Sequence, residues 1–534
     1  MRPPRSLAAV LALALVARVA AEAANGTAQR LVVTFRRGNT RLASEACESL
    51  NRAPRLVSSA GETTSFAACL RSTRGACLRA FAAKGGLVDG FAGTLDRDAL
   101  ACLGADFVEE DAEVRAPERF FFSETGDDSE DVSRRVLLER DARDGRAHEA
   151  RRRPRRAWRV DDDADGDEPV NRDSNENRED ARVRSSPFES VSEPATEPFF
   201  WPTPPWPLDR LDQTSLPLDG ARAPPGGDGV RVFVLDTGVR GTHAEFSRPG
   251  VSRAGAARTH TNVGEGADVV GDGCAFGDCA GHGTHVAALV AGRTVGVAPE
   301  AALHSVRVLG RDGRGRVSDV LAGLEWTRAF LESKGSPQTR VPSVLVLALG
   351  LRPGTASETL ERAITRLVKE HGVFVVAAGG NDPTRSACDA SPARRGDVFA
   401  VGASDAADVA YAHGSNLGPC LDAFAPGVRV RSAHSVVRFT TDNTDNTSNG
   451  ETYDDETDAL YAEMSGSSMA AGVAAGAAAH FLGRHPDAVP SETRAALKRA
   501  ASDGKVRIAN PAGNGFAPDA LASLLRVPPR WARA

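Results

Sequence analysis

The sequence predicts an α/β fold, a parallel sheet with helices on both faces, preceded by a small α+β domain. After residue 199, short β-rich runs alternate with helical stretches, the pattern of parallel strands joined by crossover helices. Before residue 116, a shorter stretch has strand and helix patterns of its own. Between them, residues 116–198 carry many charges and few apolar residues, which predicts a disordered linker or a cleavable region. The folded domains are therefore expected at 24–115 and 199–534.

Residues 1–23 have the pattern of a secretory signal peptide. Arg2 and Arg5 precede an apolar stretch at 7–16, and Ala21 and Ala23 supply small residues for cleavage. No later stretch approaches the roughly 18 apolar residues of a membrane span. The protein is expected to be secreted, or to occupy an endomembrane compartment, with no membrane span.

Net charge and cysteine content bear on the partners and the cross-links that the protein is expected to have. The formal net charge of −6 gives no basic bias toward nucleic acid. In a secreted chain, the 8 cysteines favour disulfides over metal ligation. They fall into two groups, which predicts two separately cross-linked units: Cys47, Cys69, Cys77 and Cys102, then Cys274, Cys279, Cys388 and Cys420.

The individual elements follow from local patterns. In the first domain, RLVVTF and VDGFAGTL predict strands, with helical stretches around 77–84 and 96–103. In the second, five β-rich runs predict strands: VRVFVLD, AALHSVRVL, SVLVLALG, GVFVVAAG and VFAVGA. Helices are predicted at 318–334 and 355–371, the latter with a capping box from Thr355 to Glu358 and a stop at Gly372.

Asp236 ends one of these runs in the motif DTG, which two unrelated protease chemistries use. Aspartic proteases need two such carboxylates and an all-β fold, but the chain has one DTG and no DSG, so a dimer would have to supply the second. A serine protease needs a histidine and an activated serine instead. The motif GHGTH offers His282, and SGSSMA offers Ser468 at the start of an Ala-rich helix. The order Asp, His, Ser within one α/β domain predicts a catalytic triad.

These motifs resemble the subtilisin-type serine proteases, and in particular their secreted proteinase K branch. The resemblance runs from residue 205 to about 501 and includes PWPLDRLDQ, VRVLGRDGRGRVSDVLAGLEW and FAPG. It implies that Asp236 orients and stabilises His282, the general base and acid, and that Ser468 is the nucleophile. VVAAGGN implies that the Asn381 side chain and the Ser468 backbone N–H stabilise the oxyanion.

The chain departs from the family at several positions. Ala348 replaces the usual Ser of the substrate-binding S-L-G strand, of which Leu349 and Gly350 remain. After Ser468 the chain reads M-A-A-G-V where the family has M-A-T-P-H. An acidic insertion at 440–458 precedes the nucleophile; it either favours basic substrates or is a solvated loop.

The resemblance also bears on cross-links and metals. Cys388 and Cys420 lie at positions resembling a cysteine pair in a secreted convertase relative that binds the LDL receptor, which implies a disulfide between them. Cys274 and Cys279 are a further disulfide candidate, across a short loop. No cofactor is expected to be required.

A structural calcium ion is expected at Asp422. The other ligands in the proteinase K branch are backbone carbonyls that correspond to Gly396 and Val398. His282 and His285 have a spacing that metal ligands also use, but no third ligand motif follows, so His285 is expected to be a packed helix residue.

The first domain resembles the family's ferredoxin-like propeptide. The resemblance rests on the segments VDGFAGTL, LDRDALACL and FVEED. That resemblance implies a monomeric zymogen that cuts itself, and a propeptide that templates folding and blocks the cleft. RRRPRR at 151–156 is either a convertase cleavage site or a solvated basic run.

Two functions remain open. The first is a secreted serine endopeptidase that acts on protein or peptide substrates through an acyl-enzyme. The second is a protein that cuts itself once, retains its propeptide, and acts by binding. The second is suggested by local features shared with the LDL-receptor-binding relative, but a Cys-rich C-terminal domain like that relative's is not expected here.

Overall fold

The computed structural model describes the greater part of the C-terminal domain and four segments of the N-terminal one. The described residues are 29–35, 75–81, 86–95, 107–116, 203–251, 257–272, 274, 277–334, 341–410, 414–435, 458–508, 521–528 and 531. The predicted signal peptide, the predicted helix at 96–103, the linker beyond residue 116 and the acidic insertion before residue 458 lie outside them. Among the described helices, none has the length and apolar content needed to cross a membrane.

The N-terminal domain contains an antiparallel sheet of four strands in the order β2-β3-β1-β4. The strands are β1 Gln29–Thr34, β2 Gly75–Phe81, β3 Gly90–Leu95 and β4 Phe107–Glu110. The helix predicted around 77–84 is therefore wrong, because most of that stretch is β2. A register shift between Cys77 and Arg79 interrupts the period-two pattern, and pairing with β3 fixes the extended conformation.

The C-terminal domain is built on nine strands in the order β19-β20-β16-β15-β14-β12-β6-β10-β9. Eight run parallel, and β19 pairs antiparallel with β20 at one edge. The bounds are β6 Arg231–Asp236, β9 Ala267–Asp268, β10 Ala302–Arg307, β12 Ser343–Leu347, β14 Phe374–Ala378, β15 Phe399–Ser404, β16 Ala423–Pro426, β19 Ser502–Arg507 and β20 Leu521–Leu524. The five predicted strands are β6, β10, β12, β14 and β15, so these predictions are confirmed.

Helices cover both faces of this sheet. On β6, Val232 and Val234 pack into one apolar cluster with the helices His282–Ala291 and Ser467–Arg484, whereas Phe233 and Leu235 pack into another with the helices Val317–Ser333 and Glu358–His371. Alternate strand residues point to opposite faces, so the two clusters are the two sides of the sheet. The helices are α1 Trp206–Asp212, α2 His282–Ala291, α3 Val317–Ser333, α4 Glu358–His371, α5 Ser467–Arg484 and α6 Pro490–Ala500. The predicted α/β class is confirmed.

Helix α4 begins differently from the prediction. Its N-cap is Ser357, whose hydroxyl accepts a hydrogen bond from the Leu360 backbone N–H at 3.1 Å. The Thr355 backbone N–H instead donates to Arg352 in the preceding turn, so the capping box at Thr355 is wrong. Gly372 ends the helix with φ +58°, a conformation that glycine adopts without steric cost.

Three smaller sheets complete the described fold. Two are antiparallel strand pairs, of β7 with β8 and of β17 with β18, and the third has the order β11-β5-β13. Their strands are β5 Glu113–Arg115, β7 Ser247–Val251, β8 Ala257–Thr261, β11 Arg314–Arg316, β13 Gly350–Leu351, β17 Val430–Ala433 and β18 Tyr461–Met464. The third sheet joins the two domains, because β5 comes from the N-terminal one.

Candidate active site

Asp236 and His282 are joined by a hydrogen bond at the carboxyl edge of the large sheet. Asp236 is the last residue of β6 and is fully buried. Its Oδ1 accepts from His282 Nδ1 at 2.7 Å and from the Thr237 backbone N–H at 2.7 Å. Because the carboxylate holds the Nδ1 proton, Nε2 is the ring atom that can exchange a proton with a reactant.

The loop before His282 is organised by the buried carboxylate of Asp278. It accepts from the backbone N–H of Gly281 at 2.8 Å and from that of Thr284 at 2.8 Å. Gly281 has φ +84°, and a Cβ at this position would lie 2.4 Å from the His434 ring. Glycine is therefore required here, and the GHGTH motif sets His282 as the first residue of α2.

The pKa of His282 lies above its ordinary value of 6.5. Burial alone would lower this pKa, because desolvation disfavours the imidazolium. The charge of Asp236, its hydrogen bond to the ring and the charge of Asp278 together outweigh burial. The same interactions stabilise the imidazolium that forms when the ring takes a proton from a nucleophile.

Ser468 lies in the first turn of α5 and is buried. Its Oγ donates to the carbonyl oxygen of Ala348 at 3.1 Å. A Cβ at Gly466, just before the helix, would lie 2.7 Å from Asn381 Nδ2, so glycine is needed for this approach. At a helix N-terminus, free backbone N–H groups and the positive end of the dipole favour a nearby negative charge.

Helix α2, which begins at His282, packs closely against helix α5, which begins one residue before Ser468. A Cβ at Gly472 of α5 would lie 3.0 Å from the carbonyl oxygen of Val286 in α2. The small residues of the two helices thus bring their backbones together in the core. His282 lies in the first turn of α2, and Ser468 lies in the first turn of α5.

Asn381 follows β14 and reaches the start of α5. Its Oδ1 accepts from the Ser467 backbone N–H at 2.8 Å and from the Ser467 hydroxyl at 2.7 Å. Its Nδ2 is buried and makes no hydrogen bond to any residue that the structure describes. Because the two Ser467 bonds fix the amide, Nδ2 is an oriented donor beside the helix N-terminus that carries Ser468.

Strands β11 and β13, called the cleft strands below, enclose β5 of the N-terminal domain. Arg115 lies opposite Arg314 on one side and opposite Gly350 on the other, both in antiparallel register. After β5, the Ala116 backbone N–H donates to the carbonyl oxygen of Gly313 at 2.9 Å. An extended chain segment is thus held by its backbone, which is the geometry of strand addition.

The two predicted substrate-binding residues have different surroundings. Gly350 is in β13 and pairs with Arg115, whereas the Leu349 side chain is wholly buried in the core. Leu349 can therefore contribute only its backbone to a bound chain. Next to Gly350 is a cavity of about 490 Å³, whose lining includes Ala116, Ala378 and Asn416.

Two carboxylates of the N-terminal domain lie at helix N-termini of the C-terminal domain. Asp111 accepts from the Ser318 backbone N–H and hydroxyl, each at 2.8 Å, at the start of α3. Glu109 accepts from the Ser357 hydroxyl, and from the Glu358 backbone N–H at 3.1 Å, at the start of α4. These bonds satisfy N–H groups that a helix leaves without partners. Burial raises the pKa of Glu109 to about 7, although its hydrogen bonds act in the opposite direction.

Both predicted cysteine pairs of the C-terminal domain are bonded. Cys274 is joined to Cys279, with their Cα atoms 6.0 Å apart, and Cys279 lies in the loop that leads to His282. Cys388 is joined to Cys420 at a Cα separation of 5.1 Å and ties the segment after Asn381 to the turn before β16. The two cross-links therefore lie on chain segments next to the candidate site.

His285, the second histidine of GHGTH, is a buried core residue. Its Nε2 lies 3.0 Å from the carbonyl oxygen of Val430 and 3.2 Å from that of Ala462. Burial lowers its pKa to about 3, so the ring is neutral at physiological pH. These contacts agree with a packing role and not with metal ligation.

The surroundings of Asp422 differ from those expected for a calcium site. The Arg494 guanidinium donates to both carboxylate oxygens of Asp422 and to the carbonyl oxygens of Gly396 and Val398. These three residues are the ligands that the resemblance implied. Sequence reasoning missed Arg494, because it is 72 residues from Asp422 and no local motif links them.

A different acidic group could hold a cation. Carboxylate oxygens of Asp209, Asp212 and Asp219 lie within 4.8 Å of one another near α1. Burial and the charges of its two neighbours raise the pKa of Asp212. Sequence reasoning missed this group as well, although PLDRLDQ and the following PLDG contain all three residues.

Comparisons with known proteins identify the family of the C-terminal domain. A family model described as "Subtilase family", of peptidase S8, matches residues 227–515. The chain is similar to the "Extracellular serine proteinase" of Thermus sp. (strain Rt41A), with 39% identity over 55% of this chain and 60% of that protein. It is also similar to the "Alkaline serine exoprotease A" of Vibrio alginolyticus, with 36% identity over 56% of this chain and 47% of that protein.

A solved structure, "Crystal structure of a cold adapted subtilisin-like serine proteinase", has 32% identity, a TM-score of 0.47 and coverage of 61% of this chain and 98% of that chain. Across the first curated relatives, the matched region spans about half to three fifths of their own length. The match to the family model alone extends over more than half of the 534 residues. This chain belongs to the subtilase family of serine proteases.

Proposed function

We propose that this protein is a secreted serine endopeptidase, made as a zymogen whose N-terminal domain inhibits it. The observation that carries the proposal is the 2.7 Å bond between Asp236 and His282, at the start of a helix that packs against the helix whose first turn bears Ser468. A buried Asp-His pair activates a serine hydroxyl for acyl transfer when that hydroxyl comes within hydrogen-bond reach of the histidine.

The residues divide the chemistry among them. Ser468 Oγ attacks the scissile carbonyl carbon while His282 Nε2 takes its proton, and Asp236 holds the resulting imidazolium. The Asn381 Nδ2–H and the Ser468 backbone N–H donate to the oxyanion. His282 then gives the proton to the departing amine, which leaves an acyl-enzyme. Water repeats the sequence: His282 takes its proton, the ester bond to Ser468 breaks, and Ser468 Oγ recovers its hydrogen.

The cleft strands support protein or peptide substrates and cleavage within a chain. They hold Arg115 and Ala116 through backbone pairing, and these residues are an internal segment with no terminal amine or carboxylate. Backbone pairing accepts many sequences, since each residue offers the same N–H and C=O. The site is therefore suited to an endopeptidase whose selectivity comes from the cavity beside Gly350.

The place of β5 supports inhibition by the N-terminal domain. An extended substrate would need the same edges of β11 and β13 that β5 uses. Asp111 and Glu109 add contacts at two helix starts, which hold the domain in one orientation. We propose that residues 24–115 are the propeptide, that residues 199–534 are the peptidase, and that a cut between them precedes full activity in a monomer.

The same observation favours a second candidate. If β5 stays in place after secretion, the protein would act by binding and would not turn over substrates. Treatment of the secreted protein with a fluorophosphonate probe, followed by mass spectrometry, separates the two. The endopeptidase proposal expects a label on Ser468 and none in Ser468→Ala. Absence of label, with the N-terminal domain co-purifying, would favour the binding protein.

A further inference from the structure

Arg494 fills the position at which a calcium ion was expected. Its Nη2 lies 2.7 Å from Asp422 Oδ1 and 2.8 Å from Oδ2, and its Nε lies 3.0 Å from Oδ1. Its Nη1 donates to the carbonyl oxygen of Gly396 and, at 3.2 Å, to that of Val398. One guanidinium therefore contacts every protein oxygen assigned to the ion.

The helix pattern explains why the guanidinium reaches this point. Arg494 and Lys498 are one turn apart in α6 and so lie on the same face. Lys498 Nζ is 3.3 Å from Asp422 Oδ1, which adds a second positive charge. Ala496 and Leu497 pack into the core and fix how the helix is turned. Asp422 is 7% exposed and thus needs a cationic partner.

These oxygens do not fit a calcium ion while Arg494 is in place. Calcium takes about six to eight oxygen ligands at roughly 2.3–2.6 Å, so it would need the space that the guanidinium occupies. It would also be repelled by the charges of Arg494 and Lys498. We propose that Arg494 is a covalently attached cation that takes the place of a structural calcium ion, so that this site does not bind calcium.

The clamp made by Arg494 has a structural role near the candidate site. Gly396 and Val398 lie a few residues after Ser391, which lines the cavity beside Gly350. Arg494 ties this segment to Asp422 and to α6. The segment that continues from the cavity lining is thereby tied down by a side chain that chelators cannot remove.

Thermal unfolding of the full chain tests this proposal. All variants carry Ser468→Ala, which prevents self-digestion, and Asp212→Asn, which weakens the other acidic group as a calcium site. In this parent we expect the same unfolding temperature in EDTA and in millimolar CaCl₂. Arg494→Ser should unfold about 5 °C lower in EDTA, and CaCl₂ should restore part of the loss. Adding Asp422→Asn should abolish the restoration.

Arg499→Ser is the matched control, because Arg499 is an exposed arginine of the same helix. It should leave the unfolding temperature and the calcium response unchanged. If Arg494→Ser does not fold, Arg494→Lys can be used instead. It keeps the positive charge but loses the planar guanidinium that donates several hydrogen bonds at once, so its unfolding temperature should lie below that of the parent, again without a calcium response.

Three results would overturn the proposal. In the first, calcium stabilises the parent and Asp422→Asn removes that gain. In the second, Arg494→Ser unfolds at the parent temperature. In the third, calcium shifts Arg494→Ser no more than it shifts the parent. Every variant is catalytically inactive by design, so these results are independent of whether the protein proves to be a protease.

Discussion

Arg115 lies directly opposite Gly350, so a segment of the N-terminal domain forms the middle strand between β11 and β13. The pairing uses backbone groups and continues at Ala116, whose N–H donates to Gly313. Cleft occupancy should therefore respond to the loss of a single backbone donor.

Ala116→Pro should open the cleft, because proline has no N–H to donate to Gly313. A hydrogen bond of this kind contributes about 1 kcal/mol net, so the rate at which a fluorophosphonate probe labels Ser468 should rise about five-fold. Ala116→Ser keeps the N–H and should label at the wild-type rate. Equal labelling of the two variants would mean that this bond does not hold β5 in place.

Docking of the N-terminal domain should weaken as pH rises. Burial raises the pKa of Glu109 to about 7 from an ordinary 4.5, so the docked state binds a proton more tightly than the undocked state. This contribution is fully present below about pH 4.5 and is lost as pH rises through about 7. Amide hydrogen exchange at 113–116, corrected for intrinsic rates, should therefore quicken between pH 5 and 8, by at most about tenfold per pH unit.

Glu109→Gln provides the control for this pH dependence. Glutamine keeps the shape and an acceptor oxygen but does not titrate, so the corrected exchange rates should vary less with pH. The same slope in wild type and Glu109→Gln would show that another group is responsible.

The kcat/KM of hydrolysis should fall on the acidic side with a midpoint above pH 6.5. The pKa of His282 is raised, and the neutral ring is the general base, so kcat/KM should fall as pH drops through this raised value. Asp236→Asn removes the group that fixes the ring, and kcat should drop by about 10⁴-fold. A limb centred at or below pH 6.5 in wild type would contradict the electrostatic assignment.

Asn381→Ala should lower kcat by about 10²- to 10³-fold with little change in KM, because the amide donates to charge that is present only in the transition state. Ser467→Ala removes one donor to Asn381 Oδ1 but leaves Nδ2 in place. It should cost less than about tenfold. Comparable losses in both variants would indicate that Asn381 acts by supporting the helix start and not as an oxyanion donor.

The sequence predicted those parts of the fold that local pattern determines. The five predicted strands, among the eight parallel ones, are mostly apolar and mostly buried, and such runs can be recognised without tertiary information. Strand β2 was missed because its alternation is interrupted at Cys77 and Arg79 and its conformation depends on pairing with β3. The start of α4 was misplaced because two hydroxyl residues, Thr355 and Ser357, compete for the capping position.

The site divides in the same way. Asp236, His282, Ser468 and Asn381 could be named because each belongs to a short motif at the end of a strand or the start of a helix. Arg494 could not, since its partner Asp422 is distant in sequence and the contact exists only once α6 has packed. Long-range ion pairs leave no periodic signal in a single sequence.

Strand β5 and the cleft strands that enclose it belong to one chain, and this affects how occupancy of the cleft depends on protein concentration. An intramolecular partner acts at an effective concentration that dilution does not change, whereas an outside peptide competes only in proportion to its own abundance. Occupancy by the three residues of β5 is thus the same in a concentrated and in a dilute solution of the protein. A single backbone cut that frees the N-terminal domain would convert this constant state into one that weakens as the protein is diluted.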